Sequence, residues 1–143
     1  MTLWKNLTPE HFKGLLGLFS NMKGKQMKRV YIAGAYSGNN VLGTLNNIRK
    51  GIRLATEALL TGFSPFVPWF DFYFQLMLRE NEHLTIEQYY NYCIEWLKVS
   101  DAILLVPGWE DSKGTKEEIN LARKLNIPIY YKLMDLIKEI KYE

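Results

Sequence analysis

The residues with the clearest chemical potential lie in one stretch, Gly108-Trp109-Glu110-Asp111-Ser112-Lys113-Gly114-Thr115-Lys116-Glu117-Glu118. A serine, a glycine and a glutamate stand there at steps of two and four, around the start of a helix predicted over Lys116 to Leu125. This spacing sets the Ser112 hydroxyl and the amides near Gly114 at the helix mouth, where an anion gains up to about 1 kcal/mol from the helix dipole. Glu118 falls one turn further in. The competing reading is structural: Thr115-Lys116-Glu117-Glu118 is also a capping box, in which Glu118 returns to the Thr115 amide.

A second small-residue turn, Gly34-Ala35-Tyr36-Ser37-Gly38, follows an apolar run and precedes a helical pattern. It lacks the central glycine of a dinucleotide fingerprint and the Gly-Lys-Ser/Thr ending of a P-loop, so neither NAD nor ATP is indicated, and no cofactor is expected. Its backbone amides and the Ser37 hydroxyl could hold an anion, or it is simply a tight strand-to-helix turn. Trp69, Phe70 and Trp109 could stack on a planar ligand, although aromatic residues in such numbers also serve cores and interfaces. Cys93 has no histidine at a plausible place and reads as a small half-buried thiol. With one cysteine and with His11 and His83 far apart, neither a disulfide framework nor a zinc-ligand spacing exists, and no metal is expected.

The elements that must position these residues follow from periodicity. Met27 opens a strand, Val30-Tyr31-Ile32-Ala33, that runs into Gly34. Leu45, Ile48, Ile52, Ala55 and Leu59 recur at alternating steps of three and four, which predicts a helix over 39–60 stopped by Gly62. Ser64 to Pro68 reads as a short strand, and the aromatic stretch 69–74 as a loop entering a short helix to about Glu80. Thr85-Ile86-Glu87-Gln88 is a capping box opening a helix to about Val99. Ala102 to Val106 is a strand with both faces covered, Ile127 to Tyr131 another, and residues 133–141 a final helix. Strands alternating with helices imply parallel pairing through right-handed crossovers. The predicted fold is a three-layer α/β sandwich, Rossmann-like (flavodoxin-like), with four to five strands. Ligands of such sheets lie beyond the carboxyl ends of the strands, where the two loops meet.

At 143 residues the chain is one domain's worth, and 48% hydrophobic and 14% aromatic content excludes a disordered chain. Residues 1–29 carry six basic residues against one acid, while residues 30–143 carry twelve against fourteen, so the basic excess is N-terminal. Residues 1–26 read as a helical extension, with Thr8 as cap and Phe12, Leu15, Leu16 and Phe19 as its apolar stripe, preceding a domain over 27–143. Basic residues clustered in a connector are not the surface stripe of a nucleic-acid binder, so no nucleic-acid partner is expected. No apolar run approaches the roughly 18 residues of a membrane span, and no signal-peptide pattern opens the chain; the expectation is a cytoplasmic protein without a membrane partner.

Together the strand Val30–Gly34 with its Ser37-Gly38 turn, the Pro65-Phe66-Val67-Pro68 segment, the Trp96-Leu97 helix end before Ser100-Asp101-Ala102, and the PGWEDSKGTKEEI loop resemble the nucleoside 2-deoxyribosyltransferase-like superfamily. The resemblance covers residues 27–132 and is most specific in the last block. It implies that Glu118 is a nucleophile attacking the anomeric carbon of a sugar, with Tyr31 beside it. It also implies that Ser112 and Gly114, with Ser37 and Gly38 opposite, cradle a 5′-phosphate. Gly34, from the turn after the first strand, and Trp109, as a stacking surface in the second loop, join these as candidate substrate-binding residues on their own positions. The family's transferases carry an aspartate at the Ser112 position, which favours a nucleotide over a nucleoside as the small-molecule partner. The superfamily forms dimers or larger rings, so a homodimer or larger homo-oligomer is expected, and the aromatic surplus at 69–74 suits an interface.

One departure matters: where the family has an aspartate, eight residues before Asp101, this chain has Cys93. Glycosidic cleavage normally uses two carboxyl groups, one as nucleophile and one to protonate the leaving group. A thiol is a weak donor, so another acid is needed, and Asp71 is nearest by topology, with Asp111 behind it. The resulting expectation is hydrolysis of the N-glycosidic bond of a nucleoside 5′-monophosphate, the alternatives being base exchange between deoxyribosides and a catalytically silent nucleotide binder.

Overall fold

The apolar run after Met27 forms strand β1 (Arg29–Ala33), whose side chains alternate between two cores. In this computed structural model residues 8–10, 13 and 26–140 are described, so most of the expected N-terminal extension, including Phe12, Leu15, Leu16 and Phe19, lies outside the described residues. After β1 come α1 (Val41–Leu60), β2 (Ser64–Phe66), a 3₁₀ turn (Pro68–Asp71), α2 (Phe72–Met77), α3 (Ile86–Lys98) and β3 (Ala102–Leu105). A second 3₁₀ turn (Trp109–Asp111), α4 (Lys113–Lys124), β4 (Ile129–Tyr130) and α5 (Leu133–Ile140) complete the described chain.

The four strands are parallel in the order β2-β1-β3-β4. Val30 and Ile32 pack with Ala55 and Ala58 of α1 and Leu136 of α5 on one face. Tyr31 and Ala33 pack with Cys93, Ile94 and Leu97 of α3 and Ile119 and Ala122 of α4 on the other. This is the three-layer α/β sandwich that the alternation of strands and helices predicts. The chain leaves β1 toward β2 and returns to β3 on β1's other side, so the loops after β1 and β3 diverge and open a crevice between them. At the opposite end, Asp101 ties the two strands together: its carboxylate accepts from the Arg29 amide at 2.6 Å, and its own amide donates to the Arg29 carbonyl at 2.8 Å.

Most boundaries follow local chemistry. Asn40 caps α1 through the Gly43 amide, Gly62 ends it at φ +94°, and both bonds of the Thr85–Gln88 capping box open α3. Three expectations need correction. Helix α4 starts at Lys113, three residues before the predicted Lys116, because Ser112 and not Thr115 is its cap. Strands β2 and β4 are shorter than predicted, β2 ending where Pro68 turns the chain into the 3₁₀ segment. Leu59 does not join the buried stripe of α1, which is made by Gly51, Ala55 and Ala58.

Gly51 has a steric reason to be glycine. The indole of Trp69, almost wholly buried, lies against it and donates from Nε1 to the Ala35 carbonyl at 3.2 Å. Trp69 thereby anchors the loop after β1 to α1. A Cβ at position 51 would land inside the van der Waals envelope of that ring. Gly→Ala inside a helix ordinarily stabilises by about 1 kcal/mol, but overpacking a core costs about 1–3 kcal/mol, so the sign reverses here. Gly51→Ala is expected to lower the melting temperature, measurable by circular dichroism.

Candidate functional site

Two adjoining cavities occupy the crevice. The first, about 710 Å³, takes Glu118, Cys93, Tyr36 and Asp71 in its lining, with Val41, Leu45 and Ile48 of α1 and Phe72 and Ile86 as apolar walls. The second, about 690 Å³, lies between the loop after β1 and the loop after β3, where Ser37, Gly38, Asn39, Asn47, Lys50, Asp111 and Lys113 line it. Tyr36, Ile86, Ser112 and Gly114 border both. An apolar chamber therefore continues into a polar one.

Glu118 reaches the first cavity because of where α4 begins. Thr115, Ile119 and Ala122 form the helix's buried stripe, and Glu118 stands on its flank near the sheet. The Tyr31 hydroxyl, on the strand across from it, donates to Glu118 Oε1 at 2.5 Å. The capping-box alternative fails, since the cap is Ser112 and the Glu118 carboxyl is bonded to a strand 87 residues away in sequence. Protein surrounds that carboxyl on nearly every side although the residue borders the cavity. Burial pushes its pKa up to about 7, against the pull of the Tyr31 hydrogen bond and with a further push from Glu117. Tyr31 is itself fully buried, and burial together with the Glu118 charge raises its pKa, so it stays a neutral donor.

Cys93 lies beside this pair. Burial pushes its thiol up to about 12, with Asp71 and Glu118 adding, so it is neutral at physiological pH. Across the cavity burial raises the Asp71 carboxyl above the ordinary carboxylate range, opposed by hydrogen bonds from the Tyr36 hydroxyl and the Phe72 amide. Tyr36 is raised in turn, by burial first and then by Asp71.

At the polar end, the loop after β1 is pinned: Asn47 Nδ2 donates to the Tyr36 and Ser37 carbonyls at 3.3 Å, and the Gly38 amide donates to Thr44 Oγ1 at 3.0 Å. That amide is thus not free for an anion, and a Cβ on Gly38 would collide with the Gly43 backbone, so Gly38 serves close packing of loop on helix. Ser37 remains on the cavity wall. Gly114, in contrast, has nothing within 4 Å of where a Cβ would sit; it carries the cost of glycine in a helix without a packing reason, and it borders both cavities. Gly34 borders the apolar cavity and is pressed against Val106.

Trp109 is placed differently from the expectation. It lines neither cavity and packs on Tyr131 with ring centroids 5.9 Å apart, against the core beneath α4. Phe70 packs on Tyr73 at the surface. Sequence reasoning passed over Tyr36 and over Tyr89, which lines the cavity one helical turn before Cys93. The Tyr89–Cys93 spacing of four was the available signal.

Residues 28–131 match the family described as Domain of unknown function (DUF4406), a span that takes in all four strands and both loops. The chain belongs to that family. No curated protein matches this DUF4406 chain. Among solved structures, a 2-deoxyribosyltransferase from the psychrotolerant bacterium Bacillus psychrosaccharolyticus is similar at a TM-score of 0.48 and 20% identity, over 71% of this chain and 69% of that one. No helix among the described residues is long and apolar enough to cross a membrane.

The raised pKa of Glu118 has a sign in stability. The folded chain holds that proton more tightly than the unfolded chain, so the stabilisation is complete below the ordinary glutamate value and is lost as pH rises through about 7. Glu118→Gln keeps an acceptor for Tyr31 and removes the charge. It is expected to melt above the parent protein at pH 8, by on the order of 1–3 kcal/mol, with the gap closing by pH 5 in melting scans.

Proposed function

We propose that this DUF4406 protein cleaves the N-glycosidic bond of a nucleoside 5′-monophosphate, with Glu118 as nucleophile. The observation that carries the reading is the Tyr31–Glu118 hydrogen bond at the wall of a cavity that opens onto a polar chamber headed by α4. The sugar would lie at Glu118, the base in the apolar chamber, and the phosphate at Ser37, Ser112 and Gly114. In the first step a Glu118 oxygen bonds to C1′ while the C1′–N bond breaks and its electron pair passes to the base. Asp71, whose raised pKa suits a proton donor, protonates the departing base. In the second step Asp71 takes a proton from water, the resulting hydroxide bonds to C1′, and the ester to Glu118 breaks, restoring both carboxyl groups and releasing the sugar phosphate.

The apolar lining supports a second reading, base exchange, in which a second base replaces water. Cys93 supports a third, a nucleotide binder without turnover, because a neutral thiol stands where the family has an aspartate. Phe70, Phe72, Tyr73 and Phe74 are exposed together with Leu76 and Met77, which supports a homo-oligomer formed through this surface.

The discriminating experiment incubates the protein with ribo- and deoxyribonucleoside 5′-monophosphates and follows free base by chromatography. Free base with sugar phosphate is the expected product; a new nucleotide on adding a second base would establish exchange, and ligand-raised melting without product would establish the silent binder. Glu118→Gln is expected to lower the rate by at least about 10³-fold while nucleotide binding persists, and surviving activity removes Glu118 from its role. Because the nucleophile must be ionised, kcat/KM should rise with pH through about 7. Tyr31→Phe removes the bond that lowers the Glu118 pKa, so the rising limb moves to higher pH by about one unit.

A further inference from the structure

The Thr115 side chain is buried, 1% exposed, and both of the residue's donors go to the same atom. Its Oγ1 donates to Ser112 Oγ at 2.9 Å and its backbone amide donates to the same oxygen at 3.2 Å. A serine hydroxyl has two acceptor lone pairs and one proton. With both lone pairs occupied from the helix side, only the proton of Ser112 is left to serve a further partner. Ser112 borders both cavities, and the space beside Gly114 is open.

We propose that Thr115 is a positioning residue that locks Ser112 as a hydrogen-bond donor, so that the junction of the two cavities selects an acceptor-only group, a phosphoryl oxygen. The inference rests on the reading that a 5′-phosphate lies at Ser112. Without the Thr115 hydroxyl, one lone pair of Ser112 is released and the serine is no longer confined to donating. The site then loses its preference for an anion over a neutral group. Ordinary capping needs only the Thr115 amide, so the second bond, from a buried side chain, is surplus to helix formation.

The test is calorimetric titration in the non-turnover Glu118→Gln background, with the eight common ribo- and deoxyribonucleoside 5′-monophosphates and their matched nucleosides as probes. Thr115→Val, nearly isosteric, is expected to weaken the best-bound monophosphate about tenfold and to leave its nucleoside within about twofold, whereas Thr115→Ser restores monophosphate binding. Thr115→Ala gives the same readout if valine does not pack. In a Ser112→Ala chain, Thr115→Val should add nothing further. Equal weakening of nucleotide and nucleoside, no weakening, or failure of Thr115→Ser to restore binding overturns the positioning role while leaving the proposed function intact. If the Glu118→Gln chain with Thr115 intact binds nucleosides as tightly as monophosphates, the phosphate reading itself falls, and the role of Thr115 falls with it.

Discussion

A single hydrogen bond, from the Tyr31 hydroxyl to the Glu118 carboxyl, joins the central strand to the helix that heads the polar cavity. Both partners are placed by backbone structure: Tyr31 by the alternation of β1, Glu118 by the register of α4. Neither side chain has much freedom. The Tyr31 ring stacks on Phe66 with centroids 5.4 Å apart, and Phe66 stacks on Trp96 at 5.5 Å, so an aromatic row from β2 and α3 holds the phenol in place. The carboxyl it meets is largely cut off from water, which raises its proton affinity, while the hydroxyl offsets part of that rise. A buried acid is costly to keep ionised, so this carboxyl draws on the stability of the fold as pH rises through about 7.

The register of α4 depends on its cap. Had Thr115 been the N-cap, its side chain would have faced the amides of its own first turn, and Glu118 would have been drawn back to them. With Ser112 in that place, Thr115 turns inward as the first residue of the buried stripe, and Glu118 follows on its flank. The two readings of one tetrapeptide differ by three residues of helix and assign the glutamate opposite roles.

Much of this was legible in the sequence. The apolar run ending at Gly34 placed β1, Gly62 and the Thr85–Gln88 box bounded α1 and α3, and parallel topology put the crevice beyond β1 and β3. What the sequence hid were choices decided by contacts across the fold. Ser112 and Thr115 are both competent caps locally, and with Ser112 as the cap α4 packs Ile119 and Ala122 with Tyr31 and Ile103, contacts that local spacing does not reveal. Trp109 sits in the right loop for a ligand, but Tyr131, just beyond β4, offers it a partner that local spacing does not reveal. Tyr36 drew notice only as part of a turn, although the same turn aims it at Asp71.

Part of the chamber's wall comes from elements other than those that carry Glu118 and Tyr31. Val41, Leu45 and Ile48 project from the opening turns of α1, and Ile86 from the first position of α3, whereas Glu118 and Tyr31 belong to the central strand and its covering helix. Val41 and Ile86 are largely exposed and bear little of the core's packing. The lining can therefore be reshaped one side chain at a time without disturbing the acid or its partner. Such a division of labour lets one scaffold be retuned to differently shaped guests by substitutions that leave folding almost untouched.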